Sequence, residues 1–96
     1  MTSGDISENL VFTNAPNKTP LVMREGYSVV RLTIGKGAQA PPHEASHSAF
    51  FLVLKGKAKV TAESTEVELD ENQYIAIESD EIRGIEALED LVILAI

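Results

Sequence analysis

Cysteine is absent from the 96-residue chain, which excludes disulfides and thiolate metal sites. That absence is compatible with a reducing compartment, and a cytoplasmic location is the expectation. Histidine is nearly absent: His43 and His47 are the only two. Long apolar runs are missing as well, so no stretch can cross a bilayer as a helix and no membrane partner is expected. The opening Met1-Thr-Ser-Gly-Asp5 is polar and acidic, unlike the start of a secretory leader. Bases are scarce, with eight Lys and Arg against fifteen Asp and Glu and a net charge of −7. A phosphate backbone is bound by clustered cations that displace counterions, so no nucleic-acid partner is expected. Between Glu63 and Asp90 there are many acids and a single base, Arg83. The acids read as a solvated face. Arg83 stands out against them.

Amphipathic helical periodicity and internal repeats are also lacking. What is present is a cadence of short strands. The length predicts one domain over residues 1–96, with residues 1–9 a loose polar end. Leu10-Val11-Phe12 is a candidate first strand, Asn14 to Pro20 a loop by its prolines and asparagines, and Leu21 to Glu25 a second short strand. Tyr27 to Ile34 alternates clearly: Val30, Leu32 and Ile34 form an apolar face, and Val29, Arg31 and Thr33 a mixed one. Arg31 can therefore point into the fold or out of it. Ala38 to Pro42 is extended, because a residue before proline is pushed out of the helical region. His47 to Leu54 reads as a strand apolar on both faces. Lys55-Gly-Lys57 makes a tight turn. Further strands follow over Lys57–Glu63, Glu66–Leu69, Tyr74–Ile77, Ile82–Ala87 and Leu91–Ile96, each pair separated by turn residues. Seven to nine strands at this spacing predict an all-β antiparallel sandwich or barrel.

The stretch from Gly37 to Gly56 holds both histidines and the longest apolar run before the C-terminus. Within it, His43-Glu-Ala-Ser-His47 matches H-E-x-x-H. That motif builds a metalloprotease site only on a helix, where positions i and i+4 share a face. Phe50, Phe51 and Val53 favour a strand instead, and the chain has no third histidine to complete a zinc site.

The same stretch resembles the first signature of the cupin family, G-x5-H-x-H-x3-4-E-x6-G. Gly37, His43 and Gly56 match it, while Ala45 and Ala49 stand at the positions of the family's second histidine and glutamate. The second signature, G-x5-P-x-G-x2-H-x3-N, falls by spacing on Asn72, Glu78, Asp80, Arg83 and Ala87, with none of its residues kept. Asn72 and Asp80 replace glycines, and both residue types tolerate left-handed turns. The resemblance covers about residues 27–96. It implies a small double-stranded β-helix, or jelly-roll barrel, paired as a homodimer.

The family's metal site, carried over position by position, keeps one imidazole, that of His43. Alanine cannot ligate, and a guanidinium at Arg83 repels a divalent cation. If the strand is regular, His47 shares its parity with Ala45 and Ala49 and faces the interior. Three readings follow. In the first, the barrel is a non-catalytic binding or sensing module without a metal cofactor, and His43, His47 and Arg83 donate to a small anion or polar ligand. In the second, His43 and His47 hold Zn, Ni, Mn or Fe in an isomerase- or dioxygenase-type enzyme. In the third, the chain is a structural or partner-binding subunit whose interior is filled by Phe51 and Val53. No general base stands near the histidines other than Glu44, whose strand parity is opposite to theirs.

Overall fold

The structure, a computed structural model, describes residues 1–43 and 47–96, and for His43 the backbone alone. Nine strands run in chain order among the described residues: β1 (Asn17–Arg24), β2 (Tyr27–Ile34), β3 (Gln39–His43), β4 (Ala49–Lys55), β5 (Ala58–Ala62), β6 (Thr65–Leu69), β7 (Tyr74–Ile77), β8 (Arg83–Ala87) and β9 (Leu91–Ala95). No helix occurs among the described residues. A five-stranded sheet ordered β1-β2-β9-β4-β7 faces a four-stranded sheet ordered β3-β8-β5-β6. The seven strand pairings among the described residues are all antiparallel, and the chain crosses repeatedly from one sheet to the other, which makes a jelly-roll barrel.

The alternating apolar residues face each other across the two sheets. The register arranges them in rows. Ile34 stands opposite Leu91, and Ala58 opposite both Leu69 and Ala87; all five are buried at one end of the barrel. The next row holds Leu32, Ile93 and Val53 in one sheet, and Val60 and Ile85 in the other. Burying these branched side chains, at roughly 1.5–3 kcal/mol for each fully buried one, is the main term holding the sheets together.

The N-terminal third departs from the sequence expectation. Leu10 to Phe12 forms no strand, and the first strand starts at Asn17, within the segment expected to be a loop. Pro20 is tolerated because β1 is an edge strand, where a missing N–H leaves no ladder partner unmet, and the register shifts at the next residue. Residues 10–13 instead run along the outside of the five-stranded sheet. The ring of Phe12 lies 5.5 Å from the ammonium of Lys55, and the Thr13 carbonyl accepts from the Gly35 N–H at 3.0 Å.

Arg31 faces outward and is nonetheless 6% exposed. Its Nη1 donates to the carbonyl oxygens of Ile6 (2.9 Å) and Glu8 (2.6 Å). Its Nη2 donates to the Asn9 carbonyl and to Thr19 Oγ1, both at 3.4 Å. The mixed face of β2 is thus covered at Arg31 by the chain's own first residues, and Thr33 beside it is buried as well.

The sequence expectation puts His47 on the same strand as Phe51. It precedes β4, which begins at Ala49, so strand parity does not set its direction. Of the two positions able to take a left-handed turn, Asn72 does so, with φ 69°, and Asp80 does not.

Candidate functional site

Above the filled rows the two sheets part, leaving a cavity of about 580 Å³. Small-molecule sites commonly fall between about 300 and 1,000 Å³. Its floor is Leu32 and Ile85, and its walls include Val30, Phe51 and Ala95, all paired in adjoining register positions. The residue one row outward from Ile85 on β8 is Arg83.

Arg83 lines the cavity and is 3% exposed. Strand pairing places it opposite Ala62 on one side and the backbone of His43 on the other. The guanidinium is held from behind by the turn between β7 and β8. Its Nη2 donates to the Glu78 carbonyl at 2.6 Å and its Nε to the Glu81 carbonyl at 3.3 Å. That turn is itself fastened. Glu81 Oε1 accepts from the Glu78 N–H at 2.8 Å, and Glu63 Oε1 accepts from the Ile82 N–H at 3.0 Å.

A surface salt bridge of Arg83 with Glu81 or Glu86 is the simplest alternative. Neither carboxylate takes that role: Glu81 caps its own turn, and Glu86 lies 3.5 Å from Lys59 on the outer face. Among the described residues no carboxylate pairs with Arg83. A buried cation whose partners among the described residues are all backbone carbonyls keeps its charge available to a ligand.

His47 is exposed and lines the same cavity with Ala49. His43 closes β3 in register with Arg83, but its side chain, Glu44 and Ala45 lie outside the described residues. The first histidine of the H-E-x-x-H motif is therefore the last residue of a strand, and the three residues that follow it lie outside the described residues.

One lining residue escaped the sequence reading. Lys18 sits on β1 opposite Leu32 and contributes to the cavity wall. Its parity is legible only once the strand is known to begin before Pro20. Lys18, His47 and Arg83 are all basic, and no acid lines the cavity among the described residues, in a chain where acids outnumber Lys and Arg fifteen to eight.

The described residues do not fit a resident divalent metal. Ala49 presents a methyl group, Arg83 presents a permanent positive charge, and no group of three His, Asp or Glu side chains converges among them.

Residues 30–96 match the family model described as a cupin domain. No curated protein matches the chain in sequence. Among solved structures, TT1209 from Thermus thermophilus superposes with a TM-score of 0.89 at 16% identity, covering 99% of this chain and 94% of that one. An RmlC-like cupin protein from Desulfovibrio desulfuricans gives 0.88 at 17%, covering 99% and 93%. KdgF from a Halomonas species gives 0.78 at 20%, covering 81% and 73%. At these identities the likeness is one of fold.

Proposed function

The chain belongs to the cupin domain family, and from that premise we propose that it is a small-molecule-binding or sensing module that works without a resident metal. The observation that carries this is Arg83: a buried guanidinium with no carboxylate partner among the described residues, held open to a cavity of about 580 Å³ at the position where the family signature has a histidine. A cation in that place repels a divalent metal and attracts an anion. The planar fork suits a two-oxygen anionic group, and the turn carbonyls of Glu78 and Glu81 fix its orientation in advance. His47, at the mouth, supplies a second donor. The apolar walls exclude water from the bound group, which strengthens each charge-assisted hydrogen bond.

Elemental analysis of untagged protein tests this. The protein is dialysed against excess Zn, Ni, Mn and Fe and then into plain buffer. The expected result is no metal retained near one per chain. A stoichiometric metal that survives the final dialysis, and is lost in His43→Ala, overturns the proposal in favour of a metal-dependent site.

A further inference from the structure

We infer that the ligand of this cavity is a monocarboxylate with an apolar body, its carboxylate on Arg83 and its body against Leu32, Phe51 and Ile85. The inference rests on the binding reading above and narrows it from small molecules in general to one chemical class.

Two features of the cavity set that class. The first is charge. Every ionisable side chain lining it among the described residues is basic: Lys18, His47 and Arg83. In a chain of net charge −7, a lining whose described ionisable side chains are all basic is a local reversal of the protein's own field. Neutral ligands gain nothing from such a reversal, and cations are repelled by it. The second feature is polarity. Away from those three residues the lining is aliphatic or aromatic, with Ser28 its one uncharged polar side chain among the described residues. A ligand that is polar throughout, such as a sugar or inorganic phosphate, would have to strip its hydroxyls or oxygens of water against Val30, Leu32 and Ile85 without regaining hydrogen bonds. A molecule charged at one end and apolar along its body meets both conditions.

The two permanent cations differ in role. Arg83 is buried and fixed by its turn, so it is the anchor. Lys18 is solvent-exposed on the edge strand and has no ion-pair partner among the described residues. Its contribution is screened, and it acts mainly by drawing anions to the mouth.

The experiment is a titration of the full chain, followed by amide and methyl NMR, with three monocarboxylates (benzoate, cyclohexanecarboxylate and hexanoate), the matched neutral amides, acetate, and inorganic phosphate. At least one of the three carboxylates is expected to shift the methyls of Val30, Leu32 and Ile85, and to bind about tenfold or more tightly than its own amide and than acetate. Arg83→Met is expected to remove that preference, and Lys18→Met to weaken it about two- to threefold at low salt and less at high salt. An amide that binds as tightly as its acid, or phosphate that binds more tightly than all three acids, overturns the inference and leaves the binding reading in place. Silence of all three carboxylates in a protein that retains no metal also overturns the inference alone. A stoichiometric metal in the dialysed protein overturns the binding reading itself.

Discussion

The carbonyl oxygen of Glu78 accepts a hydrogen bond from Nη2 of Arg83 at 2.6 Å, so the turn between β7 and β8 fixes the cavity's buried cation in place before any ligand arrives. Preorganisation of this kind lowers the ordering cost of binding. It also separates function from stability. A buried guanidinium with two carbonyl partners and no carboxylate among the described residues contributes little net stability, because its desolvation offsets its hydrogen bonds. Arg83→Met is therefore expected to change the unfolding free energy by no more than about 1 kcal/mol in either direction, while abolishing carboxylate binding. Urea denaturation measures the first and NMR titration the second. A loss of several kcal/mol would show that Arg83 is there to hold the turn.

Arg31 presents the opposite case. Its guanidinium draws together carbonyls from Ile6, Glu8 and Asn9, and its Nε is buried with no hydrogen-bond partner among the described residues. Arg31→Ala removes those bonds and the stem that covers β2. The expected cost is about 2–4 kcal/mol of local stability, read as accelerated amide exchange of residues 6–9, with the core strands β4 and β9 little affected. Unchanged exchange in residues 6–9 would show that the segment is held by other contacts.

These two arginines mark how far the sequence can be read. Alternation over Tyr27–Ile34 places Leu32 and Ile34 in the core correctly, since period-two patterning is a direct image of the pleat. It leaves Arg31 undecided, because a polar residue on a mixed face is covered or exposed according to a segment over twenty residues away. The start of β1 is hidden because proline and asparagine carry loop chemistry by themselves. An edge strand accepts both, and topology decides which strand is at the edge. The family spacing locates Arg83 among the site positions, but local pattern does not show that Glu81 and Glu86 are both engaged elsewhere. Lys18 is invisible for the same reason as the strand that carries it.

Asp5 gives the N-terminal turn a pH response. Its carboxyl lies below the ordinary value of 3.8, chiefly because it accepts from the Ser7 hydroxyl and also from the Ser7 N–H. A carboxyl whose pKa is depressed in the folded state favours that state above its unfolded pKa, and the contribution disappears as pH falls through the folded pKa. The turn at residues 5–8 is therefore expected to be fully formed at neutral pH and to fray only in strong acid. An NMR titration of the Ser7 amide should show a midpoint below 3.8, and Ser7→Ala should raise it. A Ser7 midpoint at or above the ordinary carboxyl value would rule out these bonds in solution.

Gly56 and Gly26 have nearly the same backbone, with φ of 88° and 92°, but different surroundings. A Cβ at Gly26 would meet nothing within 4 Å among the described residues. At Gly56 it would run into the carbonyl oxygen of Asp90, with the Asp90 carbonyl carbon at 3.0 Å and the Leu91 Cα at 3.2 Å. The β4–β5 turn is thus pressed against the β8–β9 turn, which also accepts the Lys36 N–H on Asp90 Oδ1 at 2.9 Å and donates from the Leu88 N–H to the Lys57 carbonyl at 2.9 Å. Alanine at either glycine incurs the left-handed strain of roughly 1–2 kcal/mol. Only Gly56→Ala must also push apart two turns that close over fully buried Leu91. Gly26→Ala is expected to cost about 1–2 kcal/mol and Gly56→Ala about 3 kcal/mol or more, read from denaturation midpoints. Because the Gly56 turn seals the filled end of the barrel and the cavity lies at the other, the folded fraction of Gly56→Ala should bind carboxylates with unchanged affinity. A fall in affinity matching the fall in stability would mean that the two ends are coupled through the rows of Leu32, Val53 and Ile93.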